Sequence, residues 1–236
     1  MDSYIPLNLT ETHYLKRVMR LRQGDLIAIV DGVGHLWEAT LDKENSLRLC
    51  SSIDSPVSEQ ALPTPLIGLA VAVPKRGFDE LLRMSCEIGV DIIQPLVSER
   101  SVVRIDGDGR ISRWEGIIRE AVEQSERLWK PELRSILGVK NWLSDMPSKS
   151  ACALASPRLA RPTEFDLWNI NVKRDINQIW IAIGPEGGWT VEEQLLAKEV
   201  GCDEVQLGSS VLRTSTAEVV ATQLMVAWRR NSSLCI

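Results

Sequence analysis

The feature that most constrains the fold is a regular alternation of short apolar runs and helix-like segments after residue 65. Uninterrupted apolar runs are typical of strands buried on both faces, and the segments between them repeat apolar residues with helical spacing. Strands are predicted at 66–73, 90–97, 151–155, 178–183 and 203–208, and helices at 77–88, 111–128, after Thr190 and at 216–228. Because strands that alternate with helices form a parallel sheet covered on both faces, residues 66–236 are predicted to form an α/β domain.

The first part of the chain has a different pattern. Its apolar runs are broken by Asp31-Gly32 and by Gly34, which is typical of a β-hairpin. One helix is predicted near residues 11–19. Ser and Pro are concentrated in 51–65, as in exposed linkers. The sequence therefore predicts a small β-rich domain over residues 1–62.

Composition excludes several classes of protein. The net charge of -5 argues against indiscriminate binding to nucleic acid, although a local basic patch is compatible with it. The scattered cysteines predict buried reduced thiols rather than a disulfide framework or a zinc site. No signal segment opens the chain, and no apolar run approaches the roughly 18 residues that span a membrane. We expect a cytoplasmic protein without a membrane anchor.

Three predicted loops follow strand ends, where open α/β sheets bind their ligands. They are 156–158, 184–188 and 208–213, and the last two carry glycine. Glycine lets the main chain approach a ligand closely, which suits an adenine or a ribose. Neither loop matches the phosphate-binding or dinucleotide-binding patterns. Tight turns would account for either loop alone, whereas two such loops on neighbouring strands favour a cofactor site.

Two helix starts carry a capping-box spacing. Thr190 with Glu193, and Ser215 with Glu218, place a hydroxyl three residues before a carboxylate. Each pair is predicted to satisfy free backbone donors, so we assign no chemistry to these residues on that ground.

Two groups of polar residues admit more than one interpretation. Glu120, Gln124 and Arg127 form a stripe on the helix at 111–128, and the pattern alone favours a solvated face with an ion pair. A basic cluster could contact phosphates or could be an ordinary exposed surface; it comprises Lys16, Arg17, Arg20 and Arg22, with Arg100 and Arg104 further along the chain. The histidines match no metal-binding motif, and no metal is expected.

Five stretches of the sequence together resemble a known family. Two of them lie near the C-terminal end, "IGPEGGWTVEE" and "LGSSVLRTSTA", and three lie upstream, "EIGVDIIQPLVSERSV", "EAVEQSERLWKP" and "HYLKRVMRLRQGD". They resemble the RsmE family of bacterial 16S ribosomal RNA (uracil-N3) methyltransferases, within the SPOUT superfamily. The resemblance covers most of the chain, in order.

The resemblance implies an α/β protein with an N-terminal PUA-like β-barrel and a C-terminal SPOUT domain whose last segment forms a trefoil knot. It also implies S-adenosylmethionine as cofactor, 16S ribosomal RNA or the small ribosomal subunit as partner, and a homodimer. The expected activity is methylation of uracil N3 in that RNA.

Carried over to this sequence, the resemblance implies three sets of residues. The cofactor would be bound by Leu154, Ala155, Ser156, Ile183, Gly184, Pro185, Glu186, Gly187, Gly188, Leu207, Gly208, Ser210, Val211, Leu212, Arg213 and Thr216. The catalytic candidates are Arg213 and Arg127, which could steady the uracil oxygens, and Glu120 and Glu186, either of which could take the N3 proton. RNA contacts are expected from the basic cluster and from Gln124.

Two positions depart from the family pattern. Ser215 replaces a usual acid, and Met84 replaces a usual lysine. Three other functions stay open, and the first of them is suggested by the departure at Ser215. They are a non-catalytic RNA-binding or ribosome-assembly protein on the same fold, an enzyme that uses another nucleotide, and a methyltransferase that acts on a different RNA or base.

Overall fold

The structure is a computed structural model that describes residues 4–42, 45–101, 109–156, 163–173 and 175–233. The chain divides into two compact units. The first comprises residues 1–62 and 127–129, and the second comprises 63–126 and 130–236. Residues 127–129, which the sequence division places in the second domain, thus belong to the first unit.

The first unit is built on an antiparallel sheet. Its described strands are β1 (Tyr4–Pro6), β2 (Leu26–Val30), β3 (His35–Leu41), β4 (Ser46–Leu49) and β5 (Ser58–Glu59). The sheet order is β1-β4-β3-β2, and β5 pairs with β3. The predicted hairpin is confirmed, since β2 and β3 pair antiparallel around the turn that contains Gly32 and Gly34. The predicted helix begins earlier, as α1 (Leu9–His13) capped by Asn8, and continues as a π-helical turn, Tyr14–Val18.

Short contacts explain why residues 127–129 belong to the first unit. Trp129 Nε1 donates to the Gln60 carbonyl at 2.9 Å, and Gly34 N donates to the Leu128 carbonyl at 2.9 Å. A Cβ on Gly34 would lie 2.9 Å from the Trp129 ring, so glycine is required for this close approach. The sequence pattern does not reveal it, because the contact joins positions far apart in the chain.

The second unit contains a parallel sheet, as predicted. Its described strands are β6 (Leu66–Ala72), β7 (Ile92–Val97), β8 (Glu132–Leu133), β9 (Leu137–Gly138), β10 (Ser150–Ala155), β11 (Gln178–Ile183) and β12 (Asp203–Val205). They follow the order β12-β10-β11-β6-β7-β8, and β9 also pairs with β7. Strand order does not define threading, so the trefoil knot stays a prediction.

Helices connect these strands. They are α2 (Phe78–Ile88), α3 (Gly109–Gln124), α4 (Val139–Ser144), α5 (Phe165–Asn171), α6 (Val191–Glu199) and α7 (Thr214–Ser233). The short elements α4, α5, β8 and β9 are not foreseen by the sequence pattern. Among the described residues of the second unit, buried apolar side chains form two clusters, one including Leu69, Ile118 and Met225, the other including Trp142 and Trp180.

One prediction about the cysteines is wrong. Cys152 and Cys202 form a disulfide, with Cα atoms 4.8 Å apart. The parallel pairing of β10 with β12 brings the two positions together, although 50 residues separate them in the sequence. Cys50 is exposed and Cys86 is buried. Within the described residues no helix is long and apolar enough to cross a membrane.

Candidate functional site

The strand order brings the three predicted loops to one edge of the sheet. β10 lies between β11 and β12 in parallel register, so the chain leaves all three strands on the same side. Ser156, the turn 184–188 and the segment 206–213 follow these strand ends directly. The three loops therefore converge at the carboxyl ends of the parallel strands, as expected for loops that bind a ligand.

A cavity of about 730 Å³ opens between these loops. The loops after β10, β11 and β12 supply most of its wall, and residues around Arg76 after β6 and Arg100 after β7 complete it. Most of the residues expected to bind a cofactor line it: Ala155, Ser156, Ile183, Gly184, Pro185, Glu186, Gly187, Gly188, Leu207, Gly208, Ser210, Val211, Leu212 and Arg213. The volume suits a small organic ligand, for which pockets of roughly 300–1,000 Å³ are common.

The turn after β11 folds against a buried tryptophan. Trp189 is 6% exposed, and its Nε1 donates to the Ala155 carbonyl at 3.1 Å, which links the turn to the end of β10. A Cβ on Gly184 would lie 3.0 Å from the indole ring. Gly188 has φ +69°, and its N–H closes the turn on the Pro185 carbonyl at 2.8 Å. Glycine is therefore needed here both for close approach and for the left-handed backbone.

Arg100 fixes the same turn from the other side. One guanidinium nitrogen donates to the carbonyls of Gly187 at 2.8 Å and Trp189 at 3.2 Å. We predict an RNA contact for Arg100 from the sequence, and that role stays a prediction. Its contact with the turn is not foreseen, because Arg100 and Gly187 come from different strand ends.

The capping box at the start of α6 is confirmed and does more than cap a helix. Thr190 N donates to Glu193 Oε2 at 2.8 Å, and Glu193 N donates to Thr190 Oγ1 at 3.2 Å. Glu193 Oε1 also accepts from Glu99 N at 3.1 Å. The buried carboxylate thus joins the helix start to the loop after β7, in addition to satisfying the helix itself.

The second predicted capping box is wrong. α7 begins at Thr214, and neither carboxyl oxygen of Glu218 has a hydrogen-bond partner. Glu218 is fully buried, on the same helical face as Ala221 and Met225. The side chain turns into the protein because α7 packs that face against α2 and the sheet. Helical spacing from Glu218 to residues 221, 222 and 225 is the sequence signal that could have revealed this burial.

The pKa of Glu218 is raised well above its ordinary value of 4.5. Burial is the main cause, because it disfavours the charged form, and the negative charge of Glu186 adds to it. Glu186 lies on the exposed part of the turn after β11. Glu186 therefore lines the cavity as an exposed carboxylate, whereas Glu218 is buried in the protein near it and is not among the lining residues.

Several predicted site residues lie elsewhere. Leu154 is fully buried in the sheet, and Thr216 is exposed on α7 without lining the cavity. Glu120 and Gln124 are exposed on α3, and Arg127 belongs to the first unit. Glu120, Gln124 and Arg127 are not among the described residues that line the cavity, whereas Glu186 and Arg213 are.

The basic cluster of the first unit is exposed. Lys16 and Arg17 lie in the π-helical turn, and Arg20 and Arg22 follow it. Lys16 Nζ donates to Asn45 Oδ1. Arg104 lies outside the described residues.

Some cavity residues were missed from the sequence. Arg76 and Gly77 follow β6, and Gln194 lies in the first turns of α6. The signal for Arg76 is its place after a strand that neighbours β11, since every parallel strand delivers its loop to this edge. Among the described residues, no cluster of His, Cys, Asp and Glu could hold a metal ion.

Comparison with known families matches both units. A model described as RNA methyltransferase domain matches residues 61–226, and one described as RNA methyltransferase PUA domain matches residues 8–53. The chain therefore belongs to the RNA methyltransferase family, and its fold is a PUA domain followed by an α/β RNA methyltransferase domain. Within that family it belongs with the ribosomal RNA small subunit methyltransferase E proteins. The one from Synechocystis sp. is 36% identical over 225 residues, which cover 94% of this chain and 72% of that protein.

Solved structures of similar proteins agree with this family assignment. A ribosomal RNA small subunit methyltransferase E from Neisseria gonorrhoeae, bound to S-adenosyl methionine, has a TM-score of 0.80 and 31% identity, covering 95% of this chain and 91% of that one. A putative methyltransferase from Legionella pneumophila, in complex with the same cofactor, has a TM-score of 0.81 and 26% identity, covering 96% and 92%.

Proposed function

We propose that this chain methylates N3 of a uridine in the 16S ribosomal RNA of the small subunit, with S-adenosylmethionine as methyl donor. The observation that carries the proposal is the glycine-lined cavity at the carboxyl ends of adjacent parallel strands. It occurs in a chain of the RNA methyltransferase family, at the place where open α/β sheets bind ligands.

The residues of the cavity fit this cofactor. A ligand can approach the main chain of 184–188 closely, because glycine, which has no side chain, occupies three of its five positions. The segment 207–213 forms the facing wall. We assign the adenosine and methionyl parts to these two segments.

The chemistry needs positioning and a proton acceptor. When bound, S-adenosylmethionine supplies a methyl group on a sulfonium centre. We assign the Glu186 carboxylate to accept the N3 proton of the uracil, because it is exposed on the cavity wall. Arg213 would steady a uracil oxygen as the ring gains negative charge. Glu120 and Arg127 stay predictions, without a place at this cavity.

The activity can be tested with the purified protein, S-adenosylmethionine and small ribosomal subunits from cells that lack the enzyme. Nuclease digestion and mass spectrometry should then detect N3-methyluridine. Free 16S ribosomal RNA, tested in parallel, identifies the preferred substrate form. If the protein binds RNA but neither substrate gains a methyl group, the proposal fails in favour of a non-catalytic RNA-binding protein.

Arg100 gives a prediction that separates two roles. If Arg100 holds the turn after β11, Arg100→Ala should weaken S-adenosylmethionine binding about 10-fold in the absence of RNA, because two charge-assisted hydrogen bonds are removed. Isothermal titration calorimetry measures this directly. Arg83→Ala, on the exposed side of α2, is the control. Unchanged cofactor affinity together with weaker RNA binding would assign Arg100 to RNA alone.

The basic cluster of the first unit predicts a salt dependence. Replacing Lys16, Arg17, Arg20 and Arg22 with glutamine should weaken RNA binding and flatten its dependence on salt. The log–log slope should fall by roughly 0.9 for each phosphate that the variant no longer neutralises. Filter binding at several salt concentrations measures both quantities.

A matched control removes the same number of charges from the second unit. Its target residues are ion-paired on the surface: Arg83, Arg113, Lys130 and Lys149. This variant should keep the wild-type slope. Equal losses of affinity in the two variants would show that the cluster contributes net charge and no specific phosphate contacts.

We also propose a homodimer in the cytoplasm. Support for the dimer comes from exposed apolar side chains beside the cavity loops, among them Val191 at 61%, Leu195 at 57% and Val211 at 67% exposure. Light scattering after gel filtration tests whether the protein is a dimer.

The cytoplasmic compartment follows from the proposed ribosomal substrate. The disulfide between Cys152 and Cys202 is unusual for that compartment.

A further inference from the structure

Glu218 is an unusual residue in the second unit. It is fully buried near the start of α7, and both carboxyl oxygens are without a hydrogen-bond partner. A buried carboxyl without partners is costly, and such groups are concentrated at functional sites. The function proposed above does not assign it a role in methyl transfer.

The position of Glu218 places it behind the wall of the cavity. Ser215, one helical turn earlier, and Ala217 both line the cavity. Glu186, which also lines it, acts on Glu218 through its negative charge. The strand that leads into the turn of Glu186, β11, packs against α7.

No described basic group neutralises Glu218. The elements that pack most extensively against α7 are α2, β6 and β11, and the two strands contain no ionisable residue. The charged residues of α2 are accounted for on its surface: Asp79 pairs with Arg113, Glu80 pairs with Arg83, and Glu87 is exposed. Arg213, at the start of α7, is exposed as well. Glu186 therefore supplies the ionic charge that acts on Glu218, and it is of the same sign.

We propose that Glu218 is the acidic group that complements the positive charge of the cofactor, and that it gives up its proton to solvent when the cation binds. This inference rests on the proposed function. The O–H bond of the carboxylic acid breaks, the proton goes to the buffer, and the carboxylate stays behind the cavity wall, where its negative charge attracts the cation. The raised pKa agrees with a protonated group in the free protein.

The cation could be the sulfonium centre or the α-ammonium group, and two ligands distinguish them. S-adenosylhomocysteine keeps the ammonium group but has a neutral thioether. Titration calorimetry in two buffers of different ionisation enthalpy gives both affinity and the number of protons released. Release with S-adenosylmethionine alone assigns Glu218 to the sulfonium, and release with both ligands assigns it to the ammonium group.

The decisive variant is Glu218→Gln, which keeps the shape of the side chain and cannot ionise. We expect it to bind S-adenosylmethionine about 10-fold or more weakly than the wild type and to lose the proton release. Glu123→Gln is the control, because desolvation also raises the pKa of Glu123 but Glu123 lies on α3, which supplies no residue of the cavity lining, whereas α7 supplies Ser215 and Ala217. It should match the wild type in affinity and proton release.

A second variant guards against a folding defect. Glu186→Gln changes an exposed residue and removes the negative charge that opposes ionisation of Glu218. Since Glu218 then ionises more readily in the free protein, fewer protons should be released on binding. Wild-type affinity or wild-type proton release in Glu218→Gln would overturn the inference. Because burial is the larger cause of the raised pKa, Glu186→Gln is compared with the wild type over a range of pH, and release that is unchanged throughout that range would also overturn it. Failure of the wild type itself to bind the cofactor would instead overturn the proposed function.

Stability against pH gives an independent check that the carboxyl is buried. The folded protein binds this proton more tightly than the unfolded chain, whose glutamate has the ordinary pKa of 4.5. The stabilising contribution is therefore complete below that pH and is lost as pH rises through the raised pKa. Urea unfolding across this window should show a loss of stability in the wild type that Glu218→Gln does not share. Parallel curves would contradict the burial on which the inference depends.

Discussion

Replacing Arg213 with alanine is expected to lower the rate of methyl transfer by about 100-fold or more. Arg213 lies on the cavity wall between the loop after β12 and the start of α7. Its guanidinium can donate to a uracil oxygen, and that interaction strengthens as the ring becomes negative. Because the side chain is exposed, its removal should leave the free energy of unfolding nearly unchanged.

The measurement is single-turnover transfer of a labelled methyl group to the small subunit, with urea unfolding of the same samples. Arg83→Ala serves as the control, since Arg83 is also partly exposed and lies outside the cavity lining. A wild-type rate in Arg213→Ala would remove Arg213 from the mechanism. A large loss of stability would assign it to folding instead.

Replacing Gly68 with alanine is expected to destabilise the protein by about 3 kcal/mol. Gly68 in β6 pairs in register with Trp180 in β11, and the indole lies over the glycine. An added Cβ would overlap the ring, which is fully buried and packs edge-on against Trp142. Neither strand can move aside, because both lie inside the parallel sheet.

A matched glycine gives the opposite expectation. Gly116 lies within α3, and an added Cβ there meets no atom within 4 Å. Gly116→Ala should therefore stabilise the protein by about 0.5–1 kcal/mol, since it reduces the conformational freedom of the unfolded chain. Urea unfolding of both variants tests the pair. Equal effects of the same sign would contradict the packing of Trp180 over Gly68.

Local patterns were sufficient to predict the hairpin of the first unit and the central strands of the second. Continuous apolar runs at 66–73 and 178–183 predict buried parallel strands, and the strands observed there, β6 and β11, are central in the sheet. The turn at Asp31-Gly32 predicts a hairpin, which β2 and β3 form. These elements depend on periodicity and turn chemistry, which a short window of sequence contains.

Elements that depend on distant contacts could not be predicted in this way. The strands β8 and β9 have two residues each and exist because β7 offers an edge to pair with. The pairing of Cys152 with Cys202 depends on strand order, and the place of residues 127–129 depends on the contact between Trp129 and Gly34. None of these leaves a periodic signal in its own segment.

The sequence was sufficient to predict which loops form the site, but not the position of individual acidic residues such as Glu218. The rule that ligands bind at carboxyl ends of parallel strands selects 184–188 and 208–213, which line the cavity. Spacing alone assigns Ser215 and Glu218 to a helix cap, whereas burial of one helix face directs Glu218 inward. The contact of Arg100 with the turn required the strand order, because these residues follow different strands.

The most direct test of the central claim is a crystal structure of the protein grown with S-adenosylmethionine. We expect electron density for the cofactor in the cavity between the turn 184–188 and the segment 207–213, on the side of the sheet where β10, β11 and β12 end. Density for the cofactor at another surface, with this cavity holding solvent alone, would contradict the account.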